Sequence, residues 1–325
     1  MDAYSSTVVL MEEIVKVSTI STQEIKPRVE DIVVGKPPWS ETPHAGSVER
    51  LILQLGAGRG RFNELYGIPR SIGCIGNNRF VLRRKKLGRE EIEKILRDFK
   101  SMGGTEVWIT NYDSPEELNE AVEMAFKVGI EEIRAVFLFE DAEKIRPLDG
   151  VEYIAELEYD PEAIISAAMR LWIRGILVMV TPDKVNEAKE FIQKVKGDGD
   201  FKAYVDVLYP RSLRHLDFNT IELRKINNPT TSKYHDCLAG TVAVSGDGFV
   251  LPCPLLRNLV VGDVREKSFK WIVGRSKKLR EFWTMTKDKV DGCSTCPLRY
   301  ICHDCRALEY QASGDLRGIE YCPLL

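Results

Sequence analysis

Residues 106–140 read EVWITNYDSPEELNEAVEMAFKVGIEEIRAVFLFE and contain one complete strand–helix–strand unit. The run EVWIT is short, apolar and rich in β-branched and aromatic residues, the signature of a buried strand. Ser114, Pro115 and Glu117 then stand as N-cap, first helical residue and capping-box acid. Leu118, Val122 and Ala125 form the apolar side of a helix. Gly129 ends it where a left-handed cap is expected. A second apolar run, residues 133–139, follows at once. Two such strands joined by a helix must lie parallel, because no short turn connects them.

The same unit recurs on both sides. Upstream, residues 50–55 (RLILQL) read as a strand, and Ile92, Ile95, Leu96 and Phe99 fall at i, i+3, i+4 and i+7 of a helix over 89–102. Gly103-Gly104 stops that helix. Downstream, residues 151–157, 176–180 and 201–208 read as strands. Asp160-Pro161 opens a helix through Trp172, and Thr181-Pro182 opens another to Val195. About six β-α units predict a parallel sheet with right-handed crossovers. They are too few for an eight-stranded barrel. The expectation is an α/β fold with a partial (βα)6 barrel over residues 47–230, its functional loops at the C-terminal strand ends. Residues 1–46 fall outside the repeat, and 36–46 (KPPWSETPHAG) reads as an extended arm.

The chain has 325 residues, 44% hydrophobic and 29% charged, with a net charge of −3. That balance argues against wholesale nucleic-acid binding. No apolar stretch is long enough to span a bilayer. The N-terminus has no basic leader followed by an apolar core, so a cytoplasmic location is expected. In that compartment, clustered cysteines point to metal or catalysis before disulfides.

Seven of the eight cysteines lie between Cys237 and Cys322. Cys237 is followed after ten residues by Gly248 and after four more by Cys253. Residues 268–283, read as one helix, sit in the gap before Cys293. Then come two residues, Cys296, five residues, Cys302, two residues, Cys305, sixteen residues and Cys322. Ser245-Gly-Asp-Gly248 between two apolar runs is a hairpin signal that brings Cys237 and Cys253 to one end. Cys-x-x-Cys loops aim backbone N–H groups at thiolate sulfur, and proline after a ligand cysteine recurs in ferredoxin-type runs. Here Cys253, Cys296 and Cys322 each precede proline. Structural zinc also uses Cys-x-x-Cys pairs, though usually more widely separated. Disulfides are the remaining alternative.

Residues 235–323, with CLAGTVAVSGDGFVLPCP, VGDV, CHDCRALEYQASGD and YCP, resemble the SPASM domain, the auxiliary-cluster module of many radical S-adenosylmethionine (radical SAM) enzymes. The resemblance implies a small α+β iron–sulfur domain over residues 231–325. It implies one [4Fe–4S] cluster on Cys293, Cys296, Cys302 and Cys322, and another on Cys237, Cys253 and Cys305. The family spaces its fifth and sixth cysteines by three residues, whereas two separate Cys302 from Cys305. His235, Asp236 and His303 are candidates for a substitute ligand at the second cluster.

The family's reactive cluster is held by Cys-x3-Cys-x2-Cys after the first strand. Here that loop holds only Cys74, and the next two positions are Asn78 and Val81. Neither is a useful iron ligand. Where the family has Gly-Gly-Glu-Pro after its second strand, this chain has Asn111-Tyr112-Asp113-Ser114-Pro115. Both departures argue against SAM as a cofactor. Cys74 reads as an inert thiol, with a lone ligand or reactive thiol as alternatives. Gly56, Gly58 and Gly60 miss the dinucleotide fingerprint because Arg61 stands where its third glycine belongs. The basic residues between Arg59 and Lys86 read as a salt-bridged surface. Asp113, Glu140 and Asp206, near C-terminal strand ends, read as loop acids.

The expectation is therefore an iron–sulfur protein with one or two [4Fe–4S] clusters and a degenerate radical SAM-like barrel. Such a chain serves in electron transfer, or binds a peptide, a protein or an active radical SAM paralogue. Two alternatives stay open: an enzyme of peptide, protein or tetrapyrrole modification whose auxiliary cluster has an open coordination site, and a zinc-stabilised scaffold.

Overall fold

The computed structural model describes residues 32–34, 46–58, 70–71, 80–195, 201–209, 232–302, 305–320 and 322, all within one compact unit, Asp31–Leu325. Cys74, His303, most of the 59–79 loop and nearly all of the 36–46 arm fall outside the described residues.

Eleven strands are described: β1 (Ile32–Val34), β2 (Arg50–Gln54), β3 (Arg70–Ser71), β4 (Glu106–Thr110), β5 (Glu132–Leu138), β6 (Val151–Glu158), β7 (Ile173–Val180), β8 (Lys202–Tyr209), β9 (Thr241–Ser245), β10 (Phe249–Leu251) and β11 (Gly262–Asp263). Their order is β1-β8-β7-β6-β5-β4-β2-β9-β10-β11, with β3 paired off the path to β8. Every neighbour from β1 to β9 is parallel. The last two pairings are antiparallel, and the path does not close on itself.

Between the strands run α1 (Arg89–Ser101), α2 (Pro115–Val128), α3 (Pro161–Ala168) and α4 (Val185–Val195). The cap read at Ser114 is made: its side chain accepts from Glu117 N, and Gly129 ends α2 at φ 80°. Helix α3 stops at Ala168 rather than reaching Trp172. Trp172 instead stacks on Phe137, with centroids 5.4 Å apart. The expected single helix over 268–283 is two, α5 (Phe269–Arg275) and α6 (Lys277–Trp283). Ser276 separates them in an extended conformation, and its side chain caps α6 by accepting from Leu279 N.

Alternation along the strands sorts side chains onto two faces. Leu51, Leu53, Val107, Ile109, Ala135 and Phe137 meet Ile92, Leu96, Phe99, Leu118 and Val122 of the helices. Ile52, Trp108, Val136, Ile154, Leu177 and Tyr204 form a second buried cluster with Cys237, Leu238, Cys253 and Phe282. The rings of Trp108 and Tyr204 meet edge-on at 6.4 Å, although four strand spacings, about 19 Å in a flat sheet, separate β4 from β8. The sheet therefore curls around this second face. Its concave side is filled by side chains from the cysteine-bearing segment.

Two features of the order lie beyond the β-α reading. Ile32–Val34, within the N-terminal extension, pairs in parallel with β8 as an edge strand. Strand β9 pairs in parallel with β2 over five positions, Arg50↔Thr241 to Gln54↔Ser245. The C-terminal hairpin thus continues the main sheet.

Candidate metal centre

The hairpin β9–β10 turns at residues 245–248, and Gly248 sits at φ 89°, a conformation that favours glycine. Asp247, fully buried, accepts from Ser245 Oγ at 2.6 Å, Arg83 N at 2.9 Å and an Arg257 amine at 3.3 Å. Burial alone would raise its carboxyl pKa, but the hydrogen bonds from Ser245 and Arg83 N and the Arg257 charge hold it below the usual range. Gly246 lies so close to β2 that an added Cβ would stand 2.2 Å from Leu55 O.

Because the hairpin is antiparallel, Cys237 before it and Cys253 after it emerge at its open end. Both are buried in the concave cluster, and half-buried Cys305 packs against the same cluster. Leu255 N donates to Cys253 Sγ at 3.4 Å, the kind of N–H···S contact that stabilises a thiolate. His235 is buried, and its Nδ1 accepts from Cys237 N at 3.1 Å and Leu238 N at 3.3 Å. With Nδ1 accepting, the neutral ring carries its proton on Nε2. In this state His235 shapes the turn that presents Cys237 and offers no ring lone pair as a ligand.

The other cysteines, Cys293, Cys296, Cys302 and Cys322, are half-buried and lie outside that cluster. Cys296 N donates to Cys293 O at 3.0 Å, and Cys302 N to Leu298 O at 2.8 Å, which coils the loop on itself. Lys287 Nζ donates to Cys302 O, and Arg299 to Ser294 O. Cys305 is the N-cap residue of α7 (Arg306–Ser313). Arg306, 2% exposed, donates to Leu316 O at 3.0 Å and Gly318 O at 2.9 Å. Those bonds fold the chain back toward Cys322.

The seven cysteines stand as thiols rather than disulfides. Among the described residues, no three His, Cys, Asp or Glu side chains converge on a point that would hold a single metal ion. The donor chemistry, all sulfur with a backbone donor at Cys253, fits an iron–sulfur group, whose several irons take their thiolates at separate corners.

The segment that stands where the resemblance places Gly-Gly-Glu-Pro is occupied with other bonds. Asn111 Oδ1 accepts from Asp113 N and Ser114 N, and its amide donates to Glu117 at 2.9 Å. Asp113 accepts from Ala57 N at 2.8 Å. A Cβ on Gly56 would meet Asn111 and Asp113 at 2.8 Å. The glycine loop at 56–58 is therefore closed over Asp113, and one of its backbone donors is already bound. Of the basic residues, Arg84 pairs with Asp263 at 2.5 Å and Lys86 with Asp113 at 3.4 Å, as the salt-bridged reading expects.

Sequence reasoning missed one polar group. Asp206, read as a loop acid, is buried on β8, and buried Tyr112 and Glu156 face the same interior. Burial, then the neighbouring Glu156 and Asp206 charges, push the Tyr112 phenol far above its ordinary pKa. The signal for Glu156 was an acid inside the apolar run YIAEL within the strand VEYIAELE.

No helix among the described residues is long and apolar enough to cross a membrane. A search of curated proteins finds no match. Residues 237–297, spanning the hairpin and the first Cys-x-x-Cys pair, match the SPASM family, described as an iron-sulfur cluster-binding domain. The chain thus carries a SPASM iron–sulfur module, consistent with a protein of the radical SAM/SPASM type.

Proposed function

We propose that this chain is a cytoplasmic iron–sulfur protein built on a partial (βα)6 barrel of radical SAM descent that no longer starts radical chemistry. The observation that carries this reading is the SPASM match over residues 237–297 in a segment with seven clustered cysteines. Cys293, Cys296, Cys302 and Cys322 would hold one [4Fe–4S] cluster, and Cys237, Cys253 and Cys305 a second. When bound, such clusters accept and release single electrons at potentials set by charge, hydrogen bonding and exposure.

The chain's own residues favour holding over activating. Asn111 holds the Asp113 and Ser114 N–H groups ahead of α2, Asp113 closes the 56–58 loop, and the concave face is packed with Trp108, Tyr204 and the cysteine segment. The role that fits is electron transfer, or binding of a peptide, a protein or an active radical SAM paralogue. The alternative of an enzyme with an open cluster position draws on one observation. The Cys237/Cys253/Cys305 group has three cysteines, and His235, one candidate for a fourth ligand, is engaged through Nδ1.

Anaerobic purification with iron, sulfide and zinc quantified tests the proposal. Equal iron and sulfide, broad violet absorption and a partial loss of both in Cys293→Ala are expected. Incubation of the reduced protein with SAM should give no 5′-deoxyadenosine. Stoichiometric zinc without sulfide would sink the iron–sulfur reading.

A further inference from the structure

Lys287 is an unusual residue to find beside a cysteine loop. It lies in a short 3-10 turn, Lys287–Lys289, and is only 9% exposed. Its ammonium donates to the carbonyl oxygen of Cys302. Burying an ammonium is costly unless negative charge nearby compensates. Thiolates ligating an iron–sulfur group beside the Cys302 peptide would add negative charge to the partners that Lys287 already has. Arg299 faces Asp288 at 3.4 Å, Asp288 also accepts from Tyr300 at 3.1 Å, and Lys289 of the same turn donates to Thr284 Oγ1 at 3.2 Å.

Resting on the iron–sulfur reading above, we infer that Lys287 is a built-in cation of the Cys293/Cys296/Cys302/Cys322 site, and that its charge, fixed at the Cys302 peptide, makes the cluster held there easier to reduce. Reduction adds one electron and therefore one negative charge to the cluster. A nearby cation stabilises the reduced form more than the oxidised one. A group that touches a ligand's peptide rather than the iron acts by this electrostatic route. Lys287 is in that sense a positioning residue, because it holds a charge in place without itself reacting.

The test is an EPR-monitored redox titration of the full-length, anaerobically purified chain, with iron and sulfide quantified in each preparation. Lys287→Gln keeps a hydrogen-bond donor and removes the charge, whereas Lys287→Arg keeps the charge. Lys287→Gln should retain wild-type iron and sulfide and move one potential to a more negative value. At fixed poise the reduced-to-oxidised ratio should fall about tenfold or more, which is about 59 mV for one electron. Lys287→Arg should stay close to wild type. A second cluster on Cys237, Cys253 and Cys305 should keep its potential, a selectivity that a general loss of structure would not give. Asp288→Asn, which removes a negative charge from the same loop, should shift the same potential the opposite way and keeps the test open if Lys287→Gln does not fold.

An unchanged potential in loaded Lys287→Gln overturns the inference. So does loss of iron in Lys287→Gln with retention in Lys287→Arg, because Lys287 would then hold the site together rather than tune it. Absence of iron and sulfide in the wild-type chain is a different failure, since it removes the iron–sulfur reading itself.

Discussion

Glu106→Gln should cost this protein more than any other single polar substitution on the sheet. Glu106 sits on β4 between two arginines of neighbouring strands. It takes both Nε and an amine of Arg50 at 2.6 Å, an Arg134 amine, and Trp108 Nε1 at 2.7 Å. Arg50 is 2% exposed, so its charge has no route to bulk water. Burial raises the Glu106 pKa, but the Arg50 and Arg134 charges outweigh it and hold the carboxyl below its ordinary value. Glutamine fills the same volume but places an amide donor against guanidinium donors. Removing one partner of a buried pair costs about 3–5 kcal/mol. For a chain of this size that lowers Tm by roughly 6–10 °C, at about 2 °C per kcal/mol. Thermal and urea denaturation followed by circular dichroism would measure it. The pH dependence gives a second reading of the same group. Because the folded pKa is depressed, its stabilisation is complete above the ordinary glutamate value of 4.5 and is lost as pH falls through the folded value. The acid limb of the stability curve should be shallower in Glu106→Gln. A cost below about 1 kcal/mol would refute the reasoning, since surface pairs are worth that little.

Two other substitutions probe the joint between hairpin and sheet and the lone upstream cysteine. Gly246→Ala puts a methyl 2.2 Å from Leu55 O, a backbone atom that cannot swing aside. It should destabilise by about 1–3 kcal/mol and speed amide exchange in β2 and β9, and a neutral effect would show that the two strands part easily. Cys74→Ala should leave iron and sulfide unchanged by elemental analysis, whereas a loss of iron would make Cys74 a ligand.

The parallel sheet was legible because the chain announces each unit twice, by an apolar run and by a capped helix. Ser114 and Gly129 do in the structure what their positions in the sequence imply. The cysteine segment was legible for the opposite reason: thiol spacing is a chemical signal that needs no fold. What escaped depends on contacts far apart in sequence. Nothing local in TVAVS says that it will pair with RLILQ, 191 residues upstream by the Arg50–Thr241 bond. Nothing in Asp206 alone says that curling of the sheet will bury it near Tyr112. The break at Ser276 was locally encoded, since serine is both a helix stop and a cap, but the periodicity of Phe269, Ile272, Leu279 and Phe282 ran across it.

The strongest test of the lost-radical reading is an attempt to restore the chemistry. Asn78→Cys with Val81→Cys would complete Cys-x3-Cys-x2-Cys from Cys74, and Val81 is 84% exposed, so the added thiol needs no space in the core. If only the ligands were missing, the double variant would bind additional iron and cleave SAM. The segment after β4 argues otherwise. Asn111 is buried and holds the start of α2, while Asp113 holds Ala57 N and takes the Lys86 charge at 3.4 Å. Across β2, the Gly246 turn presses on Leu55 O, and an Arg257 amine reaches Gln54 Oε1 at 3.5 Å. The end of β2 is thereby fixed from both sides by groups that a methionine moiety would have to displace. The double variant should therefore gain iron without yielding 5′-deoxyadenosine on reduction with SAM. Release of 5′-deoxyadenosine at a rate above the wild-type background would show that the clamp around β2 opens readily, and that the absence of two cysteines alone accounts for the missing radical chemistry.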